Sequence, residues 1–303
     1  STAGAAVWIS GLGGEDGGTR PAMVTTDMPG CGEGFSHDSS RDWVTGNAPR
    51  NPFEWGADQK TLNPSCDYTS IMNGTSSAAP SIAGLVALVL QANPNLSWRD
   101  VFYVLAKSAT QVDAARADSR CTLDVAGYVN EPRWITNQAG FHFHNHYGFG
   151  RPNAVKAIEL AKAHTPTPPA LQNTLLNKDL TLAIPNQNAT GVTDTQTVSI
   201  TGNPKIFNVL LTVSSDHPMP AELAFELTSP SGTKSVVLNS CNSFVGNQLT
   251  GTQLTNTVLR TNAFLDETPN GSWQLRVIDT SEIFPEGPVH QGSLSNWKLD
   301  IYY

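Results

Sequence analysis

A serine set between a Gly-Thr pair and a long apolar run is placed where a nucleophile could work. Residues Met72-Asn73-Gly74-Thr75-Ser76-Ser77-Ala78-Ala79-Pro80 lead into Ser81-Ile82-Ala83-Gly84-Leu85-Val86-Ala87-Leu88-Val89-Leu90. The run predicts a helix that is greasy on every side, which belongs in the middle of a large domain. Ser76 then falls at the helix N-terminus, where unpaired N–H groups and the positive end of the dipole favour negative charge. Pro80 is expected in the first turn, where a missing N–H costs little. Small residues at 74, 77, 78 and 79 leave room for another chain to approach the Ser76 hydroxyl. A blander reading makes Ser76 the N-cap of a core helix. The Gly-x-Ser-x-Gly elbow is excluded, because position 78 is alanine.

Other chemistry-bearing residues are sparser. His142, His144 and His146 alternate and would face one side of a strand, where zinc could bind. No Asp, Glu or Cys of obvious spacing completes a shell, so a surface strand is the preferred reading and no metal residue is assigned. The Gly11, Gly13 and Gly14 run lacks the Gly-x-Gly-x-x-Gly spacing and a following helix, which argues against a phosphate loop. Cys31, Cys66, Cys121 and Cys241 show no Cys-x-x-Cys spacing, so three disulfide pairings are open. Cys31 with Cys66 would tie one long loop, and Cys121 with Cys241 would tie the two halves together. That pairing is preferred, and either bond implies an oxidising, extracellular setting.

The elements that must position Ser76 follow from local signals. Ala5–Ser10 is strand-like, and Ala22–Thr26 forms a brief strand among the Gly-, Pro-, Asn- and Asp-rich loops of residues 15–65. Asn93-Pro94 stops the apolar helix, and Ser97-Trp98-Arg99-Asp100 opens a second one through about Ser108. Residues 112–141 read as loop with one strand, and Asn153 caps a helix from about Ala154 to Ala163. Thr165-Pro166-Thr167-Pro168-Pro169 is a stiff linker. Beyond it the period changes to two: Leu223, Phe225 and Leu227; Trp273, Leu275 and Val277; Trp297, Leu299 and Ile301. Short strands between turns argue for an antiparallel β-sandwich, and the two tryptophans in register with aliphatics read as core rather than as a carbohydrate-binding row.

With 303 residues and 39% hydrophobic content the chain is comfortable for two domains. The net charge of −8 argues against nucleic acid as a partner. No uninterrupted apolar run reaches the roughly 18 residues of a membrane span.

The string Gly74-Thr75-Ser76-x-Ala78-x-Pro80 resembles the serine motif of the subtilisin-like proteases. Val24-Thr25-Thr26-Asp27 with the later Cys66, and Gln91-Ala92-Asn93-Pro94-Asn95-Leu96-Ser97-Trp98-Arg99-Asp100-Val101, are similar to the kexin and furin branch, closest to its bacterial members. The Tyr147-Gly148-Phe149-Gly150 turn resembles the end of a subtilase catalytic domain. Leu227–Thr233, Asn270–Val277 and Gly292-Ser293-Leu294 with Trp297 resemble the P domain of the proprotein convertases.

The resemblance implies an α/β subtilisin-like catalytic domain, C-terminal portion only, in residues 1–165. An all-β, jelly-roll-like sandwich P domain would follow in residues 166–303. It implies a secreted serine endopeptidase, with the periplasm as a route of export, that cleaves peptide or protein substrates through an acyl-enzyme on Ser76, with cleavage after basic residues as the convertase habit. A propeptide or chaperone partner and bound Ca2+ are further implications; no EF-hand-like run locates a calcium site. Family order is Asp, His, oxyanion Asn, then Ser, yet only 75 residues precede Ser76 and His37, in Ser36-His37-Asp38, lacks the expected context. Ser1-Thr2-Ala3-Gly4 resembles the stretch just after the oxyanion asparagine. The expectation is that Asp, His and Asn belong to an N-terminal segment of the same protease. The alternative is an inactive fragment that acts as a stabilising or protein-binding sandwich.

Overall fold

The computed structural model describes residues 3–15, 17, 20–32, 34–36, 61–116, 125–168, 171–240, 242, 253–280 and 290–303. His37, Cys121 and Cys241 lie outside them, and with them the second expected disulfide. The chain divides into two compact units, one of Ser10–Asn95 and the other of Thr2–Ile9 with Leu96–Tyr303.

In the first unit, β1 (Met23–Thr26) pairs antiparallel with β2 (Tyr68–Met72), Thr26 opposite Tyr68. The Cys31–Cys66 disulfide is present, with Cα atoms 5.0 Å apart and 35 residues between the cysteines in sequence. Closing a loop of that length removes on the order of 4 kcal/mol of entropy from the unfolded chain. Asp27 holds the stretch after β1, accepting from the N–H groups of Phe35 at 2.7 Å and Ser36 at 2.8 Å. β2 then runs through Gly74 into α1 (Thr75–Ala92).

α1 departs from expectation. Only Ser77, Leu85 and Val89 are buried, on one stripe, while Leu88 is 47% exposed. A helix apolar all round needs cover all round, and the chain covers one side. At 18 residues α1 is also long and apolar enough to span a membrane by length and composition alone. This amends the reading from uninterrupted runs: Ser81 and Gln91 break the run without breaking the average.

In the second unit, residues 5–9 join no ladder, contrary to their strand-like sequence. Their backbone is satisfied one group at a time: the Asn262 carboxamide donates to Ala6 O at 2.9 Å, and Phe149 N–H donates to Trp8 O at 2.8 Å. Trp8 fills a cluster with Phe141, Phe143, Phe149 and Phe207, and its indole N–H donates to Phe102 O at 2.9 Å. α2 (Trp98–Ser108) opens with the expected capping box between Ser97 and Asp100. Two short pairs follow: β3 (Ala109–Thr110) with β6 (Arg151–Pro152), and β4 (Ile135–Thr136) with β5 (His142–Phe143). α3 (Ala154–Ala163) is capped by Asn153, which accepts from Lys156 N–H at 3.0 Å.

Two four-stranded antiparallel sheets complete the unit. One orders β11 (Lys234–Leu238), β10 (Leu223–Thr228), β13 (Gly271–Asp279) and β8 (Val192–Val198). The other orders β12 (Leu254–Thr261), β9 (Asn208–Ser215), β14 (Gly292–Tyr302) and β7 (Asn173–Ile184). Inward residues of both sheets share one core: Phe225, Trp273 and Leu275 from the first, Leu211, Trp297 and Leu299 from the second. Trp273 and Trp297 are fully buried, as their period-two register predicts. Each indole N–H is satisfied, by Pro269 O and by Asp194 Oδ2, both at 2.8 Å.

Asp100 does more than cap α2. Buried at 1% exposure, it accepts from Ser97, from His164 Nε2 at 2.9 Å and from the Thr167 hydroxyl at 2.6 Å. It thus fastens the start of α2 to the linker after α3. Burial pushes its carboxyl up, but hydrogen bonds from Thr167, Ser97 and His164 outweigh burial and bring it from 3.8 down to about 2. A carboxyl depressed on folding stabilises the fold above its unfolded pKa and stops doing so as pH falls through the folded value. Asp100 therefore contributes about 2 kcal/mol at neutral pH, lost between pH 4 and pH 2. Asp100→Asn should destabilise the chain at pH 7 in urea melts and flatten the decline in stability over that acid window.

Candidate functional site

Ser76 is exposed in the first turn of α1. The N-cap is Gly74, at φ 74, so Ser76 is not the cap of its helix. A positive φ of this size suits glycine, and it lets the chain turn from β2 into the helix. Ser77, the next residue, is buried and takes the structural role: its hydroxyl lies 2.8 Å from Gly13 O and 3.0 Å from Gly74 O. The glycine run therefore has a purpose that its spacing did not reveal. A Cβ at Gly11 would stand 2.7 Å from Ala78 O, and one at Gly13 3.0 Å from Gly74 O. Glycines let this backbone lie against the turn that carries Ser76.

Pro80 is inside α1 rather than at its first position. It stands four residues after Ser76, where the N–H that would bond the Ser76 carbonyl is missing. Below that point Ser81 Oγ donates to Ser77 O at 2.9 Å. The result is a nucleophile candidate at a helix end that can stabilise an anion, with N–H groups that have no intrahelical acceptor.

A base is a different matter. The unit that carries Ser76 has one histidine, His37, outside the described residues. The alternating histidines do not form the expected row. β5 ends at Phe143, His142 is exposed and His144 is buried, with His146 in the turn that follows. The His146 N–H donates to His144 Nδ1 at 3.0 Å, and His146 Nε2 lies 3.3 Å from Glu131. Burial, then His146 and Arg116, push His144 down to about 4 against the pull of Asp113, which keeps the ring neutral.

Among the described residues, one group of three His, Asp or Glu side chains is close enough to hold an ion: His217, Glu222 and Asp279, all buried. Calcium takes six to eight oxygen ligands, so a set with one imidazole and two carboxylates does not fit it. Sequence reading missed this group because its members are far apart in sequence and carry no spacing signal.

The Subtilase family profile matches residues 34–150 and the Proprotein convertase P-domain profile matches residues 206–301. An extracellular serine protease of Aeromonas sobria is 36% identical over 93% of this chain and 46% of its own length. Human proprotein convertase subtilisin/kexin type 5 is 28% identical over 98% of this chain and 16% of its own. The crystal structure of the Aeromonas sobria serine protease in complex with the chaperone ORF2 superposes with a TM-score of 0.84 at 31% identity, covering all of this chain and 54% of that one. A helix-borne serine followed by paired β-sheets is thus a subtilase segment joined to a P domain. The chain belongs to the kexin-like subtilases, and it spans about half the length of the Aeromonas relatives it matches.

The two neighbouring serines should separate cleanly. Ser76→Ala should change the unfolding free energy by no more than about 0.5 kcal/mol, as surface substitutions do. Gly11→Ala, whose new methyl meets backbone, should cost about 1–3 kcal/mol in the same denaturation measurement.

Proposed function

We propose that the chain is the nucleophile-bearing part of a secreted serine endopeptidase, which hydrolyses peptide bonds through an acyl-enzyme on Ser76. The observation that carries the reading is the division of labour at the turn: Ser77 anchors it, while Ser76 is exposed and free of a capping role. The Ser76 Oγ attacks the scissile carbonyl, and its proton passes to a histidine and then to the leaving amine. Water next cleaves the acyl-enzyme by the reverse sequence. The Ser76 backbone N–H, in the first turn, is a donor for the tetrahedral oxyanion, a role worth roughly 3–4 kcal/mol per donor.

The general base, the aspartate that orients it and the oxyanion asparagine come from polypeptide outside these residues. Two observations support this: the relatives are about twice as long, and the apolar surface of α1 is largely uncovered. Cleavage after basic residues follows from likeness to the convertases. A chaperone or propeptide partner follows from the protease–chaperone complex among its structural relatives. Export to the exterior follows from the Cys31–Cys66 disulfide and the extracellular Aeromonas relative.

We place the boundary between the catalytic portion and the P domain at residues 165 and 166, in the proline-rich linker between the two matched profiles. The P domain supports the fold of what precedes it, through Asn262 to Ala6, Asn137 to Ala263 and Leu265, and Gln138 to Glu267.

A fluorophosphonate should leave Ser76 unlabelled in this chain alone and label it stoichiometrically once the preceding polypeptide is co-expressed. In that active form Ser76→Ala should cut kcat by about 10^4-fold or more. Rapid labelling of the chain alone would overturn the divided site, and no labelling of the co-expressed pair would favour an inactive β-sandwich module.

Cutting the chain after Pro169 should leave an N-terminal piece that aggregates and shows no cooperative thermal transition. A sharp transition in that piece would remove the supporting role.

A further inference from the structure

His217, Glu222 and Asp279 converge from three elements of the β-rich part. His217 follows β9, Glu222 ends the short helical turn Pro220–Glu222, and Asp279 ends β13. All three are fully buried, with candidate ligand atoms within 4.8 Å of one another. Neither oxygen of Asp279 has a hydrogen-bond partner among the described residues, and nor does His217 Nε2, 3.3 Å from Asp279 Oδ2. Glu222 faces His290, whose Nδ1 lies 3.1 Å from each of its oxygens.

His217 Nδ1 accepts from Met219 N–H at 3.2 Å, which leaves Nε2 as the ring atom turned toward Asp279. Asp279 is thus a fully buried carboxylate with no hydrogen bond to either oxygen among the described residues. An ionised carboxylate held away from water without a partner is costly, and buried charges are normally paired or coordinate a metal.

We propose that His217, Glu222 and Asp279 form a divalent metal site in the P domain, suited to a first-row ion such as Zn2+ or Mn2+ rather than to Ca2+. One imidazole with two carboxylates is a donor set such ions accept. Ligands about 2.1 Å from a zinc ion at the tetrahedral angle lie about 3.4 Å apart, close to the 3.3 Å between His217 Nε2 and Asp279 Oδ2. Ligation through Nε2 moves the ring proton to Nδ1, so the Met219 contact must give way on loading. The ion ties the ends of β9 and β13, one from each sheet, and its role is structural and independent of Ser76.

The full chain, stripped with chelator and desalted, is titrated with ZnCl2, MnCl2 or CaCl2; elemental analysis then counts bound ions, and thermal unfolding reads their effect. One Zn2+ or Mn2+ per chain is expected, with a melting temperature raised by about 5–10 °C at a hundredfold excess over Kd. Asp279→Asn and His217→Gln should abolish both effects, and His146→Gln should spare them. Zinc-edge X-ray absorption of the wild-type chain, which needs no variant to fold, should show a single imidazole among oxygen ligands. No bound ion, binding of Ca2+ alone, two or more imidazoles on the zinc, or loss of binding in His146→Gln would each overturn the site.

Discussion

Every buried backbone N–H and C=O needs a partner, and in this chain much of that demand is met by asparagine. Asn262, fully buried, donates its carboxamide to Ala6 O. Asn137 donates to Ala263 O and Leu265 O while its own oxygen accepts from Ala139 and Phe141. Asn145 reaches Val236 O, and Asn130 exchanges bonds with Ser240 through both ends of its side chain. A carboxamide can bridge two irregular segments that no ladder could join, because it donates and accepts from one rigid group. Glu267 repeats the pattern with charge, accepting from Gln138 N–H, Ser229 Oγ and Thr233 Oγ1. These bridges let residues 3–9 and 125–150 pack onto the β-sheets with almost no regular secondary structure of their own.

The same point explains what the sequence could and could not reveal. α2 was legible because its capping box is local, four residues that satisfy each other's backbone. β10, β13 and β14 were legible because one face of each is buried, which imposes a period of two. The Gly-Thr-Ser motif was legible as a motif, but the parts around it were not. That Ser77 anchors and Ser76 does not depends on Gly13, some sixty residues upstream, and no periodicity connects them. Residues 5–10 read as a strand because Val7, Trp8 and Ile9 are strand-like residues, yet Trp8 and Ile9 pack into an aromatic cluster instead. Alternation misled at His142, His144 and His146, because the chain leaves β5 after Phe143 and turns back through Gly148.

Burial of α1 is the instructive departure. Apolar composition predicts how much surface a helix must hide, and it does so independently of whether the hiding partner belongs to the same stretch of chain. Leu85 and Val89 are buried; Leu88 and Leu90 are exposed. Without tight packing a helix of this length keeps only propensity and its own hydrogen bonds, and Gly84 and Pro80 weaken both.

Serine chemistry has demands that the same helix cannot meet alone. A helix N-terminus favours a developing negative charge, and small residues at 74, 78 and 79 keep the approach open, yet neither removes the hydroxyl proton. The histidines of the described chain have partners elsewhere: His142 in Thr136, His164 in Asp100, His146 in Glu131, His290 in Glu222, and His217 in a buried cluster in the β-rich part. His144 is kept neutral by burial, which suits packing against Trp134 and Tyr147 rather than proton transfer. Each of these imidazoles stabilises a turn, a linker or a strand end. On the proposed reading, a fold that uses its histidines as structural joints holds the nucleophile in place and takes its base from a further segment.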